Sequence, residues 1–170
     1  MFDTEVIGIK FTSYKQYGDF YWMCNQEKYS NSLFIFNDNE ECHYSNHKGA
    51  GNAIMRIYNK HSKLDIPKSA GIPTGTLQYG GYTKFTPNVK MVIDNSFNEI
   101  IELIQKHKYK TIYFSSELDG KLGTSIFQVN PTIITYITNK IYHLSSKPIK
   151  IIKVLSNDHF DENIDCEDKI

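Results

Sequence analysis

The sequence predicts an α/β fold with a mixed central sheet and helices on both of its faces. Two short apolar runs, Ser32–Phe36 (SLFIF) and Thr111–Ser115 (TIYFS), lack polar alternation, which suits central strands covered on two sides. Amphipathic helical stretches lie between such strands, and that alternation belongs to sheets with helices packed on their faces. A chain of 170 residues makes one domain and has enough residues to bury a core without staples.

Each element follows from its pattern. Val6–Thr12 (VIGIKFT) has a period of two and reads as a strand. Tyr17–Cys24 (YGDFYWMC) is aromatic and reads as a second strand, with Ser13–Gly18 as the turn between them. Asn37–Lys48 is polar and loop-like. From Gly49 the pattern turns helical, with Ala53, Ile54, Ile57 and Tyr58 on one face. Ser69–Thr76 (SAGIPTGT) reads as a short strand, and Tyr79–Thr86 as a glycine-bearing loop. Ile93–His107 is the clearest helix, with Asp94 as N-cap and Phe97, Ile100, Ile101 and Ile104 as its stripe. Pro131 suits the first turn of a helix reaching Leu144, and Ile149–Leu155 reads as the last strand. The domain is expected over 1–155, with Leu33–Phe36 and Ile112–Phe114 as adjacent or near-adjacent strands. Asn157–Ile170 carries six acids and few apolar residues, so 156–170 is expected to be an acidic, flexible tail.

Composition removes several function classes. Lys+Arg and Asp+Glu both total 19, a balance that argues against an extended nucleic-acid footprint. Cys24, Cys42 and Cys166 share no short spacing, so neither a zinc knuckle nor a disulfide framework is expected. His43 and His47 have no evident third ligand, and no metal or cofactor is implied. The opening MFDTEVIGIKF is not a signal peptide, and no run is long enough to span a bilayer, so a cytoplasmic protein is expected. The oligomeric state is left open.

In open α/β sheets ligands bind beyond the carboxyl ends of central strands, which singles out two loops. The first, Phe36–Ala53, offers Asn37, Asp38 and Asn39 at a strand end, then Lys48, Gly49, Ala50, Gly51 and Asn52 at a helix start. Unpaired N–H groups there attract an anion, and glycine lets a phosphate approach the backbone. The same residues also fit a turn shaped by Gly49 and Gly51 and capped by the asparagines. The second loop, Ser115–Phe127, offers Ser115, Gly120, Leu122, Gly123, Thr124 and Ser125 as a phosphate cradle, or else an ordinary connection. Gly75, in the small-residue run Ser69–Gly75, stands as a pocket-floor candidate. Asn39 and Asp119 are the candidates for a catalytic side chain, with a surface-turn role open for Asp119. Arg56 is either a pocket cation or a solvated residue.

The run LFIFNDN…HKGAGNA…SAGIPTG…TIYFSS…DGKLGTSIF, between Ser32 and Leu144, resembles uncharacterised bacterial and phage proteins that look like distant relatives of macrodomains. The resemblance implies an α/β module that binds ADP-ribose or a related nucleotide, sequestering it or hydrolysing an ADP-ribosyl linkage. It implies that Asn37 or Asn39 meets the distal ribose, that Gly49, Ala50 and Gly51 form the first phosphate loop, and that Gly120, Leu122, Gly123 and Thr124 stand in the second. The early Gly-Asp-[IL] that holds adenine in many macrodomains has no clear match. A protein of the other class, an interaction or structural module without a small-molecule site, predicts that the two loops lie apart and that the aromatic segment near Trp22 forms a partner patch.

Overall fold

The computed structural model describes residues 1–124 and 127–154. Six strands, β1 (Glu5–Ile9), β2 (Ser32–Asn39), β3 (Ser69–Thr76), β4 (Gly80–Gly81), β5 (Thr111–Ser115) and β6 (Lys150–Ile152), form one sheet in the order β4-β3-β2-β5-β1-β6. Every pairing is parallel except β3 with β4, so the sheet is mixed, as expected. Leu33 pairs with Ile112 and Ile35 with Phe114, which makes the two apolar runs neighbours at the centre.

All eight residues of β2 are buried, because successive side chains enter different cores. Leu33 and Ile35, with Val6, Ile112 and Phe114, pack on helices α2 (Pro87–His107) and α3 (Pro131–Tyr142). Phe34 and Phe36, with Ile7, Ile9 and Tyr113, meet Tyr17, Met23 and Tyr29 on the opposite face. Phe34 stacks on Tyr113 with ring centroids 5.2 Å apart. This second face is covered by short pieces, helix α1 (Phe20–Met23) and the 3-10 helices Glu27–Tyr29 and Gly51–Tyr58. Among the described residues no helix is long and apolar enough to cross a membrane.

Four local readings are corrected. Tyr17–Cys24 is not a strand: the Asp19 carboxylate accepts from the Trp22 N–H and caps α1, and the aromatic density reflects core packing rather than sheet preference. The segment after Gly49 is helical but of the tighter 3-10 type, starting at Gly51. Helix α2 starts at Pro87, with Thr86 as N-cap accepting from the Val89 N–H at 3.2 Å; Asp94 lies inside it and pairs with Lys90 and Lys140. Strand β2 runs on through Asn39 because β3 pairs with it as far as Gly75, across a register shift between Asp38 and Asn39. Ser125 and the tail 155–170 lie outside the described residues, and the last strand ends at Ile152.

Helix α2 offers a direct test of the larger core. Ile93 is fully buried, whereas Met91, two residues earlier, is 54% exposed. Ile93→Ala should cost about 2–5 kcal/mol in urea unfolding, and Met91→Ala within about 0.5 kcal/mol of nothing. Equal effects at the two positions would contradict the described helix face.

Candidate functional site

The connections that follow β1 and β2 cross the face carrying α1 and the 3-10 helices, whereas those after β3 and β5 contribute α2 and α3 to the other. Strand β5 lies between β2 and β1, so neighbouring strands send their chains to opposite sides. Such divergence opens a crevice at the strands' carboxyl ends. A cavity of about 540 Å³ lies there, within the roughly 300–1,000 Å³ usual for ligand pockets.

One wall is the first loop: Lys48, Gly49, Ala50, Gly51 and Asn52 all line the cavity. Gly49 is pressed against its own helix, where a Cβ would come within 2.6 Å of that of Ala53. Gly51 has φ +57° and nothing within 4 Å of where its Cβ would stand, so this backbone faces open space. Asn37, Asp38 and Asn39 do not line the cavity. The Asn39 Oδ1 accepts from the Cys42 N–H at 2.9 Å and caps the loop. The Asn37 Nδ2 donates to the Gly123 carbonyl at 2.6 Å, tying the strand end to the second loop, while its Oδ1 is buried without a hydrogen-bond partner.

The facing wall takes Ser115, Ser116, Glu117 and Gly123 from the end of β5 and the loop after it. The rest of that loop turns elsewhere. Gly120, at φ +87°, abuts the Tyr142 hydroxyl, Leu122 enters the core and donates its N–H to Thr138, and Thr124 donates to the Phe127 carbonyl at 2.7 Å. Asp119 accepts from the Lys121 N–H at 2.9 Å within the turn, and Gly75 allows β4 to approach, since a Cβ there would meet the Gly80 carbonyl. Of the sequence-derived residues, Lys48–Asn52, Ser115 and Gly123 therefore share one cavity, and the others surround it or support it.

The third wall is one the sequence reading missed. Lys10, Phe11 and Tyr14 follow β1, and Gly18, Asp19, Phe20 and Tyr21 open α1. Gly18-Asp19-Phe20 puts a Gly-Asp pair followed by an aromatic residue on the cavity; with Phe in place of Ile or Leu it does not complete the Gly-Asp-[IL] pattern. Gly18 has φ +106°, and the Asp19 Oδ2 accepts from the Lys15 N–H at 2.8 Å. An Asp ahead of four apolar residues was the available signal for a helix cap.

Behind the first loop lies a buried charge network. The Asp38 Oδ1 accepts from Arg56 Nε at 3.0 Å and Nη2 at 2.5 Å, and Arg56 Nη1 donates to the His47 carbonyl at 3.0 Å. Arg56 is 2% exposed, so it is neither a pocket cation nor a solvated residue; it holds the chain just before Lys48. His43 lies between Asp38 Oδ2, at 3.5 Å, and Glu99 Oε2, at 3.2 Å. The Asp38 contact is an ion-pair separation without hydrogen-bond geometry, whereas the Glu99 contact is a true bond. Burial works to lower the His43 pKa, but the two carboxylates outweigh it and raise it to about 9. Burial likewise opposes ionisation of Asp38, yet His43 and Arg56 hold its carboxyl below the usual range.

The network predicts a pH profile. His43 faces Asp38 and Glu99, with Arg56, Lys60 and His61 around those carboxylates. With a folded pKa above the unfolded 6.5, its protonation stabilises the fold fully below about pH 6.5, and that contribution is lost as pH rises through about 9. Urea midpoints of the wild type should fall between those values by more than those of His43→Gln. Parallel profiles would overturn the assignment of a buried imidazolium.

No protein-family model, no curated protein and no solved structure matches this chain, so its function is read from the geometry of the cavity itself.

Proposed function

We propose that the chain is a macrodomain-like module that binds ADP-ribose or a related nucleoside diphosphate in this cavity. The observation that carries the reading is that both loops, one with Lys48 and an open glycine backbone and one with Ser115 and Gly123, line a single cavity with Asp19 and four aromatic side chains. An interaction module without a small-molecule site would leave those loops apart. The backbone at Ala50–Gly51 and Lys48 meets the diphosphate, because amides and an ammonium both favour an anion, while the Gly49 N–H is taken by the Ala53 carbonyl. Phe11, Tyr14, Phe20 and Tyr21 offer faces for a base, and base–aromatic stacking contributes about 1–3 kcal/mol per base. Asp19 keeps acceptor capacity for an exocyclic amino group, since a carboxylate has about four lone-pair sites and its two bonds here occupy two of them.

Binding is favoured over hydrolysis. Of the carboxylates lining the cavity, Asp19 caps α1 and Glu117 rests against Lys10 at the edge of the second loop. Asn37, expected to meet a ribose, supports the site through Gly123, and Asn39 does so by capping its loop.

Calorimetry with ADP-ribose tests the reading. The wild type should bind, and Gly51→Val should lose at least tenfold in affinity, because its side chain would project into the open cavity. A left-handed φ costs an L-residue about 1–2 kcal/mol, so the melting temperature should drop only a few degrees. Unchanged affinity in a folded Gly51→Val variant would remove the first loop from the site.

A further inference from the structure

The sheet register brings together a pair of charges that neither glycine loop explains. Ile9 of β1 is the partner of Ser115 of β5, and the Ser116 N–H donates to the Ile9 carbonyl at 3.0 Å. Lys10 and Glu117, the next residues along, therefore emerge side by side, with Lys10 Nζ 2.7 Å from Glu117 Oε2. Both line the cavity, and their side chains are 43% and 49% exposed. The backbone of Glu117 is fixed: its N–H donates to the Lys121 carbonyl at 2.8 Å, and its carbonyl accepts from the Gly120 N–H at 3.0 Å. Its second carboxylate oxygen lies 3.3 Å from where a Cβ on Gly123 would stand. The carboxylate thus fills the space beside the second loop's glycine and takes its counter-charge from Lys10.

We propose that Lys10 is a phosphate-binding residue of the cavity and that Glu117 is its resting counter-ion, displaced by the diphosphate of a nucleoside diphosphate ligand. The proposal rests on the nucleotide-binding reading and narrows it to a ligand class. A half-exposed ion pair stabilises a fold little, so its exchange for a ligand contact is cheap. A neutral nucleoside has nothing to offer Lys10 and leaves the pair intact. A diphosphate brings charge enough for Lys48 on one wall and Lys10 on the other, while Glu117 turns out towards solvent. Selection for diphosphates over nucleosides then follows from an anion that already belongs to the chain.

The test is calorimetry with ADP-ribose, ADP and adenosine on the wild type, Lys10→Met, Glu117→Gln, the double variant and Lys48→Met, each checked for an unchanged melting profile. Lys10→Met should weaken ADP-ribose and ADP about tenfold and leave adenosine unchanged. Glu117→Gln should tighten both diphosphates several-fold, and that gain should vanish when Lys10 is also replaced, a coupling the double-mutant cycle reads directly. Diphosphate binding that responds to Lys48→Met but to neither Lys10→Met nor Glu117→Gln would overturn this inference alone. Equal weakening of adenosine by Lys10→Met would overturn it too, by making Lys10 a structural residue. Absence of binding by wild type and Glu117→Gln for every probe would remove the nucleotide reading, and this proposal with it.

Discussion

A parallel sheet must be covered on both faces, and here the two covers differ in kind. One face receives two regular helices, α2 and α3, whose buried Ile93, Phe97, Ile100, Ile133, Ile137 and Ile141 form a continuous apolar layer. The other receives a four-residue helix, two 3-10 segments and the loops between them. Fully burying a branched aliphatic side chain stabilises by about 1.5–3 kcal/mol, so the helical layer by itself supplies a large share of the core's stability. The thin cover can therefore leave a cavity without unravelling the fold. Aromatic bulk compensates on this side: Tyr17, Tyr29, Phe34 and Tyr113 fill by ring contact what regular helices fill elsewhere by stacked aliphatic rows.

The Asp38–Arg56 pair joins that cover to the sheet. Asp38 belongs to a strand whose every residue is buried, and its charge is tolerated there because Arg56 and His43 surround it. Buried pairs of this kind add little net stability, but losing one partner strands the other at a cost of about 3–5 kcal/mol. Arg56 also reaches the His47 carbonyl, so one guanidinium fixes both the strand end and the start of the glycine loop. The shape of the cavity's first wall depends on a side chain that does not line it.

Much of this was legible in the sequence where regularity carried the signal. The unalternating SLFIF and TIYFS runs located the central strands, and the stripe through Phe97, Ile100 and Ile104 located α2. Less legible was everything that depends on a partner far along the chain. Arg56 reads like any helix cation until Asp38, eighteen residues earlier, is placed beside it. Asn37 reads as a free strand-end amide until its bond to Gly123, eighty-six residues on, is known. Gly18-Asp19-Phe20 was hidden for another reason, since aromatic residues favour strands locally and here serve a short capped helix. Of the loop residues singled out in advance, Lys48–Asn52, Ser115 and Gly123 line the cavity, and those outside it are held by specific hydrogen bonds or close packing that no local pattern announces.

The bond from Asn37 to the Gly123 carbonyl also divides the cavity mechanically. It links the end of a wholly buried strand to the loop after β5, while Arg56 anchors the first loop to the same strand, so two walls form a single stiff body. The wall after β1 is held differently. Beyond the Lys10–Glu117 pair, the segment takes local hydrogen bonds from the Lys15 N–H to Asp19 and from Gln16 to Thr12, and it exposes Phe11 at 42% and Tyr14 at 79%. Two of the three walls are thus tied through one buried strand while residues 11–15 are more exposed, so amide exchange should be faster along residues 11–15 than at the Asn37 end of β2.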